Sequence, residues 1–424
     1  MACRSCKDGV ILMPFSHQVG GHAGMLKYND ATVCKPLNPR ELLFYQSLPE
    51  DMVHFMPEYR GTIDVCVEEQ HDGSLYLRAY PCFQMVTRGS CSPNSSGEGV
   101  DSDESAEDAS CCSNSPQTSR KHHHKSLYHS KRKSSCMVLV SRNGSVCLNE
   151  STESDGLFED HSTGSGLSMS CNPWGLHCHH RQVTKMRRDQ KNHKFILLEN
   201  VTSQLQYPCI MDLKMGSRTY SDDFSVEKRK AHIAKAEATT SATLGMRICG
   251  MQVYNSETGK FMCRNKYYGR RLSKDGLMKG LRDFLHNGHR VRTELIPHII
   301  HKLQELIHLV SQQNCLRFYS SSLLIMYEGH TGLSGDNNGD SMDLKRDPSV
   351  DIKMIDFANT YHKGCKNSSN TAVHNGPDTG YMYGLENLVQ MLEKLTVKSE
   401  RLKDVGSSSS SGSSSSGQAM AHSV

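Results

Sequence analysis

Pro208-Cys209-Ile210-Met211-Asp212-Leu213-Lys214-Met215-Gly216 is the stretch on which the reading of this chain turns. The apolar run Phe195 to Leu198 precedes it across a short connection. On a strand, side chains two apart share a face, so Asp212 and Lys214 stand together with Ile210, and Met211 and Leu213 face the other way. Gly216 closes the segment with a residue free to turn sharply. By spacing alone, an acid and a base at a strand end read first as a structural ion pair.

The order of residue types adds to that reading. The segment matches P-x-x-x-D-x-K-x-G at every fixed position, and this pattern resembles the signature of the inositol polyphosphate kinase family. The chain also carries Ser321-Ser322-Leu323-Leu324, Ile355-Asp356-Phe357 and Asn265-Lys266-Tyr267-Tyr268-Gly269-Arg270. This set, in this order, is similar to that of the inositol hexakisphosphate kinases. The resemblance covers about residues 10–85 and 172–400.

Composition bounds the rest. The chain has 424 residues, room for two or more domains, with 36% apolar residues and a single tryptophan, Trp174, so part of its length is not expected to join a core. The formal net charge of +4 gives no overall field that favours nucleic acid, and an anion site must be local. Met1 to Gly9 is polar and Val10 to Phe15 is too short for a signal core, so neither a secretory leader nor a membrane span is expected. The 17 cysteines are irregularly spaced and read as free thiols in a reducing compartment. Cys3 with Cys6 and Cys111 with Cys112 lack a second ligand pair at zinc spacing, and the adjacent residues of His177-Cys178-His179-His180 point apart on a helix or strand.

Read in order, residues 1–9 are a flexible start and 10–85 a small, sheet-rich lobe. Val10 to Phe15, Met25 to Tyr28, Ala31 to Lys35, Gly61 to Glu69 and Ser74 to Pro81 read as strands, and Arg40 to Leu48 as a helix. His17-Gln18-Val19-Gly20-Gly21-His22 is a turn signal. Residues 86–171 are dominated by Ser, Gly, Asp, Glu and His; acidic Asp101 to Asp108 and basic Arg120 to Lys133 mark a disordered, charged insert. That insert is open to protein partners, and Lys131 to Lys133 is compatible with nuclear entry, so cytoplasm and nucleus are the expected locations.

Residues 172–328 open the large lobe with Asn172-Pro173-Trp174 and a helix over 176–188, the tryptophan being expected between lobes. A helix is predicted over 226–238, with Lys228, His232 and Lys235 on one face. Met246 to Tyr254 and Lys260 to Tyr268 alternate as a hairpin, a helix over 277–286 ends at Asn287-Gly288, and a scaffold helix runs from Leu295 to Val310 with Thr293 as its cap. A strand is predicted over 316–327. Residues 329–349 form a polar loop whose Asp336 to Asp340 stretch lacks calcium-loop spacing, and 350–400 add a strand into Asp356-Phe357 and a closing helix over 378–398. Residues 401–424 are a Ser/Gly-rich tail.

The resemblance implies an α+β, two-lobe kinase-like fold with ATP between a small antiparallel-sheet lobe and a larger α/β lobe. It implies Mg2+ on Asp356, the ATP phosphates on Lys35, adenine on the backbone of Glu199 and Val201, and catalytic roles for Asp212 and Lys214. Lys214 bridges substrate and transferred phosphoryl group; Asp212 either orients the acceptor or binds the ribose. Arg218, Lys228, Lys235, Lys266, Arg270 and Arg271 supply a substrate-phosphate clamp. Where the family commonly reads G-T-R-Q-H-G-D-D, this chain keeps Arg218, Asp222 and Asp223 but carries Tyr220 and Ser221 for the histidine and glycine. The activity implied is conversion of inositol hexakisphosphate to a diphosphoinositol pentakisphosphate, at the 5-position by family expectation.

A protein kinase would need H-R-D-x-x-x-x-N and a Gly-rich loop, and neither is found. Two readings stay beside the hexakisphosphate one: a kinase of a lower inositol phosphate, which shares the central motif, and a regulatory scaffold acting through the charged insert.

Overall fold

A computed structural model describes residues 9–69, 75–80, 138–140, 146–148, 158–159, 172–189, 191–330, 349–362 and 374–407. The chain opens with β1 (Val10–Pro14), β2 (Leu26–Asn29), β3 (Thr32–Pro36), α1 (Pro39–Gln46), β4 (Tyr59–Glu69) and β5 (Leu75–Tyr80). Short strands β6 (Val138–Val140), β7 (Val146–Leu148) and β8 (Phe158–Glu159) lead to α2 (Pro173–Asp189) and β9 (His193–Glu199). The remainder is β10 (Pro208–Met215), α3 (Val226–Glu237), α4 (Thr240–Leu244), β11 (Met246–Asn255), β12 (Lys260–Arg264), α5 (Lys266–Arg270), α6 (Lys274–Phe284), α7 (Ile296–Gln312), β13 (Ser322–Glu328), β14 (Val350–Ile355) and α8 (Thr379–Ser407).

Two antiparallel sheets organise most of these elements, as an α+β, two-lobe arrangement, and β6 and β7 form a separate pair. The first is a closed barrel in the order β1-β2-β3-β9-β4-β5. Its interior holds Leu12, Leu26, Cys34, Ile63, Val65, Leu77, Ala79 and Phe195, with Met186 of α2 against them. The small lobe is therefore not complete within residues 10–85. β9 lies between β3 and β4, pairing Lys35 with Ile196 and Ile63 with Phe195. Closure satisfies strand edges that the first five strands alone leave open.

The second sheet runs β14-β13-β10-β11-β12-β8, with β10 near its centre. One face packs on α6, α7 and α8 through Leu277, Leu281, Leu303, Leu306, Leu385 and Leu388. α7 buries Ile296, Ile299, Leu303, Leu306 and Val310 at three- and four-residue steps, the apolar stripe of a scaffold helix. α1 also joins this core: Phe44 lies 4.5 Å, ring to ring, from Phe357. Asn38 caps α1 by accepting the amides of Arg40 and Glu41.

Several boundaries differ from expectation for local reasons. The strand predicted over 316–327 begins only at Ser322, because Cys315 and Ser320 adopt positive φ and Asp378 accepts the Phe318 amide. The second hairpin strand, expected to reach Tyr268, stops at Arg264, since Asn265 accepts the amides of Tyr267 and Tyr268 and starts α5. Thr293 opens a 3-10 turn that ends at Leu295, and α7 starts at Ile296 with no side-chain cap. α8 continues past residue 400 to Ser407. Within 86–171, expected to lack order, β6 pairs with β7 and β8 extends the second sheet. The rest of that insert, residues 1–8, the Asp336 to Asp340 stretch and the tail from 408 lie outside the described residues. Among the described residues no helix is long and apolar enough to cross a membrane, and no group of three His, Cys, Asp or Glu has metal-site geometry.

Candidate active site

β10 is buried along its whole length, and its two faces meet different surroundings. Cys209, Met211, Leu213 and Met215 enter the main core. Ile210 instead joins a small cluster with Val19 and Met326. Asp212 and Lys214, 2% and 9% exposed, share that second face, as the two-residue alternation predicts. From β13, Leu324 stands opposite Asp212 and Ser322 opposite Lys214.

The turn His17 to His22 rests on this face. Gln18 braces it, donating to the carbonyls of Gly20 and Ala23 and accepting the amide of Met25. Trp174 donates its indole N–H to Gly21 O at 3.1 Å, so the tryptophan ties the turn to the start of α2. The backbone approaches so closely that a Cβ on Gly20 would lie 1.9 Å from Asp212 Oδ2, and one on Gly250 would lie 1.8 Å from Val19 O. Both glycines are required by space. The turn thereby seats Val19 against Ile210 and Met326, with Val201 and Leu205 alongside: an apolar cluster next to the barrel-to-sheet connection. In that connection the Glu199 carboxylate accepts the Glu58 amide, and Asn200 donates to Asp30 O and accepts the Thr202 amide. These side chains brace the connection to neighbouring backbone.

The charged centre joins three distant segments. Lys35 Nζ lies 2.7 Å from Asp356 Oδ1 and 2.9 Å from Glu41 Oε1. Glu41 also accepts the amide of Phe357 at 3.1 Å. Asp356 has a φ of 65°, a left-handed conformation uncommon for a residue with a Cβ and concentrated at functional sites. Burial acts to lower the Lys35 pKa, but the charges of Asp356 and Glu41 outweigh it and hold the ammonium well above its usual range. Asp212 is pushed up to about 6, first by burial and then by the charge of Asp356; Ser322, Lys214 and Arg247 oppose the rise. Its Oδ1 is buried without a hydrogen-bond partner. Two carboxylates that repel one another, one with an unsatisfied oxygen, suit a hard divalent cation that keeps its remaining positions for phosphate and water.

The other predicted cations fall into two groups. Lys266 of α5 reaches His22 Nδ1 at 3.2 Å and faces the rings of Trp174 and Tyr267, and Arg270 lies over Tyr267. Arg271 is exposed at the C-cap of α5. In the second group Arg218 pairs with Asp222 and lies between the rings of Tyr220 and Tyr319, at 4.6 and 4.4 Å. Lys228 sits over Phe224, and Lys235 is half-buried. The α3 face they share with His232 turns inward: His232 is buried against Thr219 Oγ1. Asp222 also meets His374 Nε2 at 2.6 Å, and Asp223 pairs with Arg40 of α1.

The sequence patterns place Gln18 only in a turn and give no role to Glu41. Its signal was available: an acid two residues after a capping Asn-Pro, six after Lys35, starts α1 on the lysine's side.

The sequence profile described as inositol polyphosphate kinase matches residues 195–393. The chain is 40% identical to inositol hexakisphosphate kinase 1 of Mus musculus, over 93% of this chain and 95% of that protein. It is 41% identical to inositol hexakisphosphate kinase 3 of Mus musculus, over 91% and 96%. It is also similar, at 25% identity and over 48% and 84% of the two chains, to a solved inositol phosphate multikinase Ipk2 from S. cerevisiae in complex with ADP and Mn2+; the TM-score of 0.40 is too low to argue from. By sequence, the chain belongs to the inositol polyphosphate kinase family, among the inositol hexakisphosphate kinases.

Proposed function

We propose that this protein transfers the terminal phosphoryl group of ATP to a phosphate of inositol hexakisphosphate, giving a diphosphoinositol pentakisphosphate, with the 5-position as acceptor. The observation that carries the reading is the meeting of Lys35 and Asp356 at 2.7 Å, on the side of the sheet that holds Asp212 and Lys214. Relatives named for hexakisphosphate, aligned over more than nine-tenths of the chain, support the choice of substrate.

In this reading adenine lies against the apolar cluster of Val19, Ile210, Val201 and Met326, and the Glu199 to Val201 backbone hydrogen-bonds it. Lys35 meets the ATP phosphates as a point charge. Asp356, with Asp212 facing it, would hold Mg2+, which supplies charge neutralisation on the phosphates in transfer. Lys214 bridges the acceptor phosphate and the transferred group. The nucleophile is a phosphate oxygen already ionised at neutral pH, so Asp212 has little general-base work and orients the acceptor. Arg218, Lys228, Lys235, Lys266, Arg270 and Arg271 bind the remaining phosphates. We place this activity in cytoplasm and nucleus, with residues 86–171 available to protein partners.

A panel of inositol tris- to hexakisphosphates with magnesium-ATP tests the substrate. Turnover fastest on the hexakisphosphate is expected; turnover of a trisphosphate alone would move the reading to a lower inositol phosphate. Lys214→Ala should abolish turnover and deletion of 86–137, the charged stretch ahead of β6, should spare it, the reverse of what a scaffold acting through the insert requires.

A further inference from the structure

Glu41 and Tyr45 of α1 are four residues apart, so one helical turn sets them on the same face, and both are buried, at 2% and 6% exposure. The Tyr45 ring is fixed on two sides. It stacks on Tyr59 of β4, with ring centres 6.2 Å apart, and meets the Phe357 ring edge-on at 5.5 Å. Its hydroxyl is buried with no hydrogen-bond partner. The charges that act on that hydroxyl are those of Glu41, Lys35 and Asp356, so the polar end of the side chain lies toward the charged centre.

A buried hydroxyl left unsatisfied is costly, and a phenylalanine would fill the same place without it. The rings of Phe44 and Phe357 beside Tyr45 show that phenylalanine suits these surroundings. The hydroxyl thus points to an acceptor that it meets in another state of the site. Glu41 supplies one. Lys35 Nζ and the Phe357 N–H both meet Oε1, leaving Oε2 as the oxygen for a further donor. Burial and the charge of Glu41 hold the phenol well above its usual range, so it stays a neutral donor.

Lys35 is shared between Asp356 and Glu41, at 2.7 and 2.9 Å. Once ATP phosphates draw the ammonium from Asp356, Glu41 alone aims it, and the orientation of that carboxylate decides where the lysine points. We infer that, with nucleotide bound, the Tyr45 hydroxyl donates to Glu41 Oε2 and holds the carboxylate on Lys35. Tyr45 is then a positioning residue for nucleotide binding that acts through Glu41. This deepens the reading of Lys35 as the lysine of the ATP phosphates and rests on it.

The test is calorimetric titration of the full chain with the magnesium complex of a non-hydrolysable ATP analogue, paired with thermal unfolding of the nucleotide-free protein. Tyr45→Phe should bind the analogue roughly tenfold more weakly, the loss of a hydrogen bond to a charged group. It should unfold at the wild-type temperature or above it, because the free protein makes no hydrogen bond with this hydroxyl. In a Glu41→Gln background the same substitution should weaken binding only about threefold, since the acceptor is then a neutral amide. Unchanged affinity of Tyr45→Phe overturns the inference. So does a lower unfolding temperature of the nucleotide-free variant, the mark of a merely structural hydroxyl, or an equal loss in the two backgrounds. Lys35→Met separates this from the wider reading. If it binds the analogue like wild type, Lys35 is not on the phosphates and the inference goes with that reading; if it binds weakly while Tyr45→Phe binds normally, the inference alone is overturned.

Discussion

Lys35 and Asp356 stand 321 residues apart in the chain and meet at 2.7 Å. The contact ties β3 of the barrel to the end of β14 in the second sheet, and Glu41 locks it by holding both the lysine and the amide of Phe357. The position of the barrel over the sheet is thus coupled to the charge at the centre.

Glu41→Gln keeps an acceptor for the Phe357 amide and removes the charge beside Lys35. Loss of one charge-assisted contact predicts a rise of roughly tenfold or more in KM for ATP, with a smaller change in KM for the inositol phosphate. Steady-state kinetics on both substrates, with thermal unfolding as the folding control, checks this. An equal rise for both would show that Glu41 supports the fold and not Lys35.

Asp212 gives a pH signature. Its folded-state value of about 6 lies above the ordinary 3.8, so the native protein holds this proton more tightly than the unfolded chain. The associated stability is fully present below about pH 4 and is lost as pH rises through about 6. Asp212→Asn, which imitates the protonated carboxyl, should therefore be more stable than wild type at pH 7.5 in metal-free buffer. The difference between about 6 and 3.8 sets an upper value on the order of 3 kcal/mol. The variant should also be inactive. Equal melting temperatures from pH 4 to 8 would contradict this account of Asp212.

Gly20→Ala places a methyl 1.9 Å from Asp212 Oδ2. Because the turn is braced by Gln18 and Trp174, it cannot move without breaking those bonds. ATP affinity should fall by roughly tenfold or more, the order of a few kcal/mol expected of overpacking, while the α6–α8 core stays intact. A nucleotide titration of the variant reads it directly; unchanged affinity would show that the turn does not cover the nucleotide.

Trp174 is the single tryptophan, and it hydrogen-bonds that turn. Nucleotide binding should shift its emission, and Gly20→Ala should reduce the shift. A silent tryptophan on saturation with an ATP analogue would place the nucleotide elsewhere.

The parts legible in the sequence were those fixed by short-range rules. The D-x-K pair and its two-residue parity gave the face of β10 correctly, and the stripe Ile299, Leu303, Leu306 and Val310 gave α7. Long-range closure was not legible: nothing local in Phe195 to Leu198 says that β9 enters the barrel between β3 and β4. The bulge at Cys249, which sets Arg247 opposite Lys214, was not legible either, because Met246 to Tyr254 reads as unbroken alternation. β6 and β7 were passed over within a polar segment, yet their sequences flank Asn143-Gly144, a dipeptide that favours hairpins.

The most direct measurement is phosphorus NMR of the product formed from magnesium-ATP and inositol hexakisphosphate by wild type and by Asp356→Asn. Asparagine tolerates the positive φ at this position, so the variant should fold. A diphosphate signal on the inositol product, formed by wild type and reduced roughly a thousandfold in the variant, is the predicted result. A diphosphate signal that persists undiminished in Asp356→Asn, or its absence from wild type that is folded and binds ATP, would contradict the account.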